Sequence, residues 1–255
     1  MSEHVILDFE KKFRVSPNLC ALGIMTKAPQ AGKVKTRLTP PLAPEEAAAL
    51  NICFLRDLSQ SISQACAESP ARGVGIYMPV GTESSYKNIF PKEFFLIPQR
   101  DGDFGDRLTL AAEDLFSVGF ESVCLINSDS PTVPASTFVE AANELAKAGD
   151  RVVLGPSEDG GYYLIGLKKL HKRLFEQIEW STERVFDQTM KRAKEIGVAV
   201  HQLPTGFDVD NRATLHKLCD ELLGCETSGV APNTSKFLRK IVEREGRDRI
   251  WPETR

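Results

Sequence analysis

No run of apolar residues in this chain reaches the ~20 that a membrane-spanning helix needs. The N-terminal segment is interrupted by Asp8, Glu10, Lys11 and Lys12 and lacks the apolar stretch of a secretory leader. Histidine is scarce. The four, at positions 4, 171, 201 and 216, stand apart in sequence and give little support to a zinc site or a Ser-His-Asp triad. Positive charge is not in excess: the formal net charge is −3, which argues against a general nucleic-acid binder. The six cysteines form no C-x-x-C pair. They read as reduced thiols, with Cys20 and Cys124 expected in the core; Cys219 and Cys225 are near in sequence, a spacing that establishes no bridge. Two common nucleotide signatures are also missing. Val34 follows Gly32-Lys33 where a P-loop needs Ser or Thr, and there is no G-x-G-x-x-G turn. These absences leave a soluble, cytoplasmic protein with small-molecule partners as the expectation.

What is there is an alternation. Short apolar runs at 19–26, 73–80, 94–98, 122–127, 151–156, 161–167 and 198–203 read as strands. Between and after them, 44–67, 105–118, 134–148, 182–196, 211–223 and a tail segment around Phe237, Leu238 and Ile241 read as helices. The 255 residues suit one large α/β domain or two small ones, and a single domain is the expectation. Strands alternating with helices predict a mainly parallel sheet with helices on both faces. The gap between 151–156 and 161–167 is too short for a parallel crossover, so a mixed sheet is expected.

Parallel sheets bind ligands beyond the carboxyl ends of their strands. Four unusual segments, 27–37, 99–107, 127–131 and 155–161, fall at those predicted ends. The first, in "TKAPQAGKVKTRL", brings Lys27, Lys33, Lys35 and Arg37 into a loop with no acidic residue. Such a loop suits a diphosphate or triphosphate, or is simply a solvated basic loop. In "INSDSP", Asp129 follows a buried strand. A carboxylate there, opposite phosphate-binding cations, fits Mg²⁺ or Mn²⁺ bridging a nucleotide, or caps a turn. Ser128 and Ser130 are placed to orient it or to contact a ribose. "FDVDN" offers Asp208 and Asp210, one of them a second metal ligand, with Asp210 also placed to cap the next helix. Glu158 and Asp159, ahead of Gly160-Gly161, are candidates for the carboxylate that receives a hydroxyl proton. In "PQRDGDFGDRL", Gln99 is placed to read a base edge, Gly102 to allow close approach of a base or sugar, and Arg107 to reach phosphate or pair with Asp103. Trp180-Ser181-Thr182 reads as a helix entry.

Taken in order, "KAPQAGKVKTRL", "GDFGDRL", "NSDSP", "LGPSEDGGYYLIGL", "WST" and "FDVDNRATL" resemble a bacterial family of GT-A-like nucleotide-diphospho-sugar transferases. More distantly they are similar to nucleotidyltransferases such as molybdopterin guanylyltransferase and phospholactate guanylyltransferase. The resemblance spans about three quarters of the chain, residues 27–215. It implies a Rossmann-like GT-A domain over 19–224, flanked by an N-terminal extension, 1–18, and a C-terminal helical extension, 225–255. It implies metal positions at Asp129 and Asp210, a phosphate loop at Lys27, Lys35 and Arg37, and nucleobase contacts at Gln99 and Gly102. The chain departs from the pattern at Asn127, where glycine is expected, and at Asp106-Arg107-Leu108, where Glu-Arg-Met is expected. The nucleotidyltransferase loop L-A-G-G-x-S-x-R-M is replaced by residues 21–26.

Three readings follow. The first is a metal-dependent glycosyltransferase with a nucleotide-diphospho-sugar donor and an acceptor hydroxyl. The second is a nucleotidyltransferase joining an NTP to a phosphorylated acceptor, which calls for a second basic cluster such as Lys168, Lys169, Lys172 and Arg173. The third is a non-catalytic nucleotide-binding module.

Overall fold

The computed structural model describes residues 4–11, 15–16, 18–224 and 229–252. Cys225 lies outside them, so the suggested partnership with Cys219 has no structural account. The apolar runs become strands because their branched and aromatic side chains pack well on a pleated surface buried on both faces. In chain order these are β1 (Val5–Ile6), β2 (Cys20–Lys27), β3 (Ala71–Met78), β4 (Phe95–Pro98), β5 (Ser122–Ile126), β6 (Arg151–Pro156), β7 (Tyr162–Leu167) and β8 (Ala199–Gln202). They form one sheet in the order β1-β4-β3-β2-β5-β7-β6-β8. All pairings are parallel except those of β7, which is antiparallel to both β5 and β6. The expected mixed, mainly parallel sheet is present.

The helices are α1 (Pro44–Glu68), α2 (Phe104–Ser117), α3 (Ala135–Ala146), α4 (Val185–Glu195), α5 (Arg212–Leu223) and α6 (Pro232–Glu245). On one face of the sheet Leu55, Leu58 and Ile62 of α1 and Phe138, Ala141 and Leu145 of α3 pack against Leu22, Ile24 and Cys124. On the other, Leu108, Ala112 and Leu115 of α2 and Ala193 of α4 meet Ala21, Val123 and Ile165. Each buried Leu or Ile contributes roughly 1.5–3 kcal/mol by leaving water. A third cluster lies outside this sandwich. It joins Leu50 and Phe54 on the outer side of α1 to α5, α6, Leu38, Phe207 and Val209.

Several boundaries move for identifiable reasons. β1 carries no periodic signal in its two exposed residues and is held by parallel pairing with β4. β3 stops at Met78 because Pro79 has no N–H for the ladder. α4 starts at Val185, after a turn in which the Thr182 hydroxyl donates to the Glu179 carbonyl at 2.7 Å. Cys20 and Cys124 are buried as expected, their sulfurs 3.8 Å apart and unbridged. Among the described residues no helix is long and apolar enough to cross a membrane.

Candidate functional site

The carboxyl ends of β2, β5, β6 and β8 open on one rim, and the loops leaving them meet there. The backbone N–H of Val209 donates to the Asp129 carbonyl at 2.9 Å, joining the loop after β5 to the one after β8. The N–H of Glu158 donates to Gly206 at 3.0 Å, joining the loop after β6 to the same segment. The basic loop comes from the other side, because Leu38 and Leu42 anchor it in the third cluster beside Phe207 and Val209.

Lys35 is where the two sides touch. It adopts left-handed backbone, φ 49° and ψ 36°, ahead of a short 3-10 turn at Thr36–Leu38. Its Nζ lies 2.7 Å from Asp129 Oδ1 and 2.9 Å from Asp210 Oδ1, and donates to the Val209 carbonyl at 2.8 Å. The side chain is 5% exposed, against 30% for Asp129 and 42% for Asp210, so the lysine is the sealed member of the trio. Burial alone would lower its pKa, but the Asp129 and Asp210 charges outweigh that and hold the ammonium above the ordinary lysine value.

A second clamp lies behind this one. Asp208 Oδ1 accepts from Asn127 Nδ2 at 2.8 Å and from the Ser130 hydroxyl at 2.6 Å. Burial pushes the Asp208 carboxyl up to about 6; the Ser130 hydroxyl opposes the rise, and the charges of Asp129 and Asp159 add to it. Asn127, where glycine was expected, thus acts at both ends: its Oδ1 also accepts from the Asp129 N–H at 3.2 Å. Ser128 donates to Asp129 Oδ1 at 3.0 Å. The serines therefore divide, one orienting Asp129 and the other Asp208. The helix-capping task goes to Asn211, which accepts from the Thr214 N–H, and Asp210 is released toward Lys35.

Two cavities flank the carboxylates. The first, about 310 Å³, is lined by Lys27, Lys33, Lys35, Arg37, Asn51, Ser128, Asp129 and Asp210. All four expected loop cations are in it. The second, about 560 Å³, shares Arg37, Ser128, Asp129 and Asp210, and adds Asp159, Tyr162, Trp180 and Phe104. Phe104 and Trp180 meet edge to face with centroids 5.1 Å apart.

Other candidates are placed elsewhere. The Gln99 amide nitrogen is buried, donating to the carbonyls of Thr26 at 3.0 Å and Ile76 at 2.8 Å, so its donors tie β2 to β3. Gly102 and Arg107 line neither cavity. A Cβ at Gly102 would meet that of Asp106 at 2.6 Å, a local turn requirement. Arg107 contacts Met78 Sδ at 3.0 Å and lies 5.6 Å from the Phe104 ring centroid instead of pairing with Asp103. Glu158 is ion-paired with Lys217 outside both cavities, whereas Asp159 turns in, its Oδ1 accepting from the Gly161 N–H at 2.9 Å. Lys168, Lys169, Lys172 and Arg173 line neither cavity; Lys172 pairs with Glu113, and Arg173 with Glu176 and Glu195. Sequence reasoning missed Asn51, a polar residue at a buried position of α1, and the aromatic wall. Trp180 was readable only as a helix entry.

Two carboxylate oxygens converging on one cationic nitrogen are a donor set suited to Mg²⁺ or Mn²⁺ that takes its remaining ligands from phosphate and water. Among the described residues no group of three or more His, Cys, Asp or Glu side chains is arranged as a self-sufficient metal site.

Residues 62–182 match DUF2064. That family is described as an uncharacterized protein conserved in bacteria. The DUF2064 span holds Asp129, Asp159 and Trp180 and leaves Lys35 and Asp210 outside it. Over nearly the whole chain, the protein is similar to a solved structure from Desulfovibrio desulfuricans G20, provisionally described as a nucleotide-diphospho-sugar transferase. The identity is 28%, the TM-score 0.77, and the coverage 90% of this chain and 98% of that one. It shares its fold with CMP:2-keto-3-deoxy-manno-octonic acid synthetase complexed with CTP (13% identity, TM-score 0.52, 88% and 99% covered). It also shares it with a cytidylyltransferase from Leptospira borgpetersenii serovar Hardjo-bovis (10%, 0.51, 93% and 98%). No curated protein matches the chain. The resemblance to nucleotide-diphospho-sugar transferases and the Rossmann-like GT-A architecture both stand.

Proposed function

We propose that this protein is a metal-dependent glycosyltransferase that moves a sugar from a nucleotide-diphospho-sugar to an acceptor hydroxyl. The observation that carries the reading is the convergence of Asp129 and Asp210 at the wall between a cationic cavity and an aromatic one. Lys27, Lys33 and Arg37 take the diphosphate in the first cavity, the lysines as point charges and Arg37 as a fork for two oxygens. Asp129 and Asp210 would hold Mg²⁺ or Mn²⁺. Bound there, the ion neutralises charge developing on the leaving diphosphate. Ser128 fixes the Asp129 carboxylate, and the Asn127–Asp208–Ser130 clamp fixes the loop behind it.

The second cavity receives sugar and acceptor. The Phe104–Trp180 pair, packed edge to face, gives an aromatic corner on which the C–H face of a sugar ring can rest. Asp159, held by the Gly161 N–H, is the carboxylate that takes the acceptor proton in an inverting course. Glu158, committed to Lys217, does not share that task. A nucleotidyltransferase acting on a phosphorylated acceptor calls for cations in the second cavity beyond Arg37, and the 168–173 cluster does not line it. The glycosyl reading is preferred on that observation.

The test is incubation with a panel of nucleotide-diphospho-sugars plus hydroxyl acceptors, and separately of NTPs plus phosphorylated acceptors, with Mn²⁺, water being the acceptor in the acceptor-free arms. Nucleoside diphosphate release from the sugars, lowered about 10²–10³-fold in Asp129→Asn with folding intact, is the expected result. Pyrophosphate release from an NTP would establish the nucleotidyl reading instead, and ligand binding without turnover a non-catalytic module.

A further inference from the structure

We propose that Lys35 is a tethered cation that keeps free divalent metal off the Asp129–Asp210 pair and leaves it only when metal and diphosphate arrive together. This rests on the metal–diphosphate reading above and adds an order of events to it.

The ammonium occupies the point on which the carboxylates converge. Its three oxygen partners, Asp129 Oδ1, Asp210 Oδ1 and the Val209 carbonyl, lie at 2.7, 2.9 and 2.8 Å. The two carboxylate oxygens are those the proposed divalent ion would take. An ion and an ammonium sharing both oxygens would be two like charges within a few ångström, so the two occupants exclude each other. The occupancy is built into the chain, since a surface lysine would not be held this way. Lys35 takes left-handed backbone, a conformation that non-glycine residues rarely adopt. Its ammonium lies 5.5 Å from the Phe54 ring centroid. Backbone strain retained at one residue of a candidate site points to a task for that residue.

The first cavity also offers the lysine somewhere to go. It holds the exposed Lys27, Lys33 and Arg37, and Asn51 on α1, whose Oδ1 is buried without a hydrogen-bond partner. A diphosphate in this cavity supplies anionic oxygens, and Asn51 supplies a further acceptor, so Lys35 exchanges two carboxylates for new partners. Metal arriving alone must expel the ammonium with no anion to receive it. Metal and diphosphate therefore bind with positive coupling, and the departing nucleoside diphosphate takes the metal's stabilisation with it.

The experiment titrates Mn²⁺, by calorimetry and by loss of its free-ion magnetic-resonance signal, into the full chain with and without saturating inorganic pyrophosphate, a probe that needs no knowledge of the base, each curve corrected for Mn²⁺ binding to pyrophosphate alone. Wild type is expected to bind Mn²⁺ about tenfold more tightly with pyrophosphate than without. Lys35→Met is expected to bind Mn²⁺ alone about tenfold more tightly than wild type and to lose most of the coupling, while Lys35→Arg, which keeps the charge, stays close to wild type. Folding of each variant is checked by circular dichroism. If Lys35→Met does not fold, Lys35→Gly, relaxed in left-handed backbone and unable to ligate metal, is read the same way. If wild type shows the coupling but removing the charge leaves affinity for Mn²⁺ alone unchanged or weaker, the role of Lys35 is refuted and the metal reading survives. If no variant binds Mn²⁺ even with pyrophosphate, both fall.

Discussion

Asp129 and Asp210 contribute differently although both touch one ammonium. Asp129 is pinned by the Ser128 hydroxyl and by its own N–H on Asn127. Asp210 is more exposed, and its backbone N–H donates to the Thr214 hydroxyl at 2.9 Å. A pinned carboxylate is already oriented when a ligand arrives, so its loss costs more. Asp129→Asn is expected to lower nucleoside diphosphate release by about 10²–10³-fold and Asp210→Asn by less, because removing one preorganised electrostatic contact costs on that order. Steady-state rates at saturating Mn²⁺ check this; equal losses would show that the hydrogen bonds to Asp129 add nothing. Little of this was legible beforehand. A lysine in a basic loop gives no sign that it turns inward, and the partner that receives Lys35 is 174 positions away. The same distance effect hid the engagement of the Gln99 amide nitrogen, since its acceptors lie on β2 and β3. It also removed Glu158 from the pocket, through Lys217.

Elements were far more legible, because periodicity is local. Among the described residues, α1 to α5 and seven of the eight strands were readable within a few residues, α6 was placed without bounds, and β1 was missed because two residues have no period. The rim followed from topology, since loops after parallel strands share one edge. Loop shape depends on contacts that the pattern does not encode. Gly160, between β6 and β7, has φ +84°, and a Cβ there would lie 2.1 Å from the Glu183 carbonyl oxygen. Its own carbonyl accepts from the Phe186 N–H at 2.8 Å, fastening the Asp159 loop to the start of α4. Gly160→Ala must displace one of the two and is expected to cost about 3 kcal/mol. Gly149→Ala, at φ +86° with open space around it, carries only the backbone cost of about 1–2 kcal/mol. Urea unfolding of the pair checks the difference. The amino end of α1 gives a pH prediction. Burial alone would raise the Glu46 pKa, but Arg249, the Ala43 N–H and Arg244 together hold it below the usual carboxylate value. A depressed carboxylate contributes stability above its unfolded pKa and loses it as pH falls through the folded one. Glu46→Gln should therefore cost about 1–2 kcal/mol at pH 7 and progressively less below about pH 4. Thermal melts from pH 7 to pH 3 test this, and a gap that does not narrow in acid would refute it.

At the scale of the whole molecule, the candidate site depends on a helical layer that reaches the two cavities only through residues such as Asn51 of α1 and Thr214 of α5. Leu38 behind the basic loop and Val209 between the two aspartates share one cluster with α5 and α6. This is how segments from opposite ends of the chain are brought within reach of Lys35. The layer is locked by a buried charge. Asp57 of α1, 2% exposed, accepts from the N–H groups of Asn233 and Thr234 at 2.9 and 2.8 Å. It also accepts from the Asn233 amide and the Thr234 hydroxyl at 2.7 and 2.6 Å. The carboxylate thus satisfies orphan donors in the first turn of α6 and sits at the positive end of its dipole. Asp57→Ala leaves those donors without an acceptor in a closed space and is expected to cost about 3 kcal/mol. Asp57→Asn keeps one acceptor oxygen and should cost less. Because α6 backs the cluster that holds Leu38 and Val209, loosening it should also weaken Mn²⁺–pyrophosphate binding, in the same rank order, at temperatures where both variants remain folded. Unfolding and binding measured on the same preparations separate the alternatives. Lost stability with unchanged affinity would mean that the sheet alone positions the site and that α6 is only a brace.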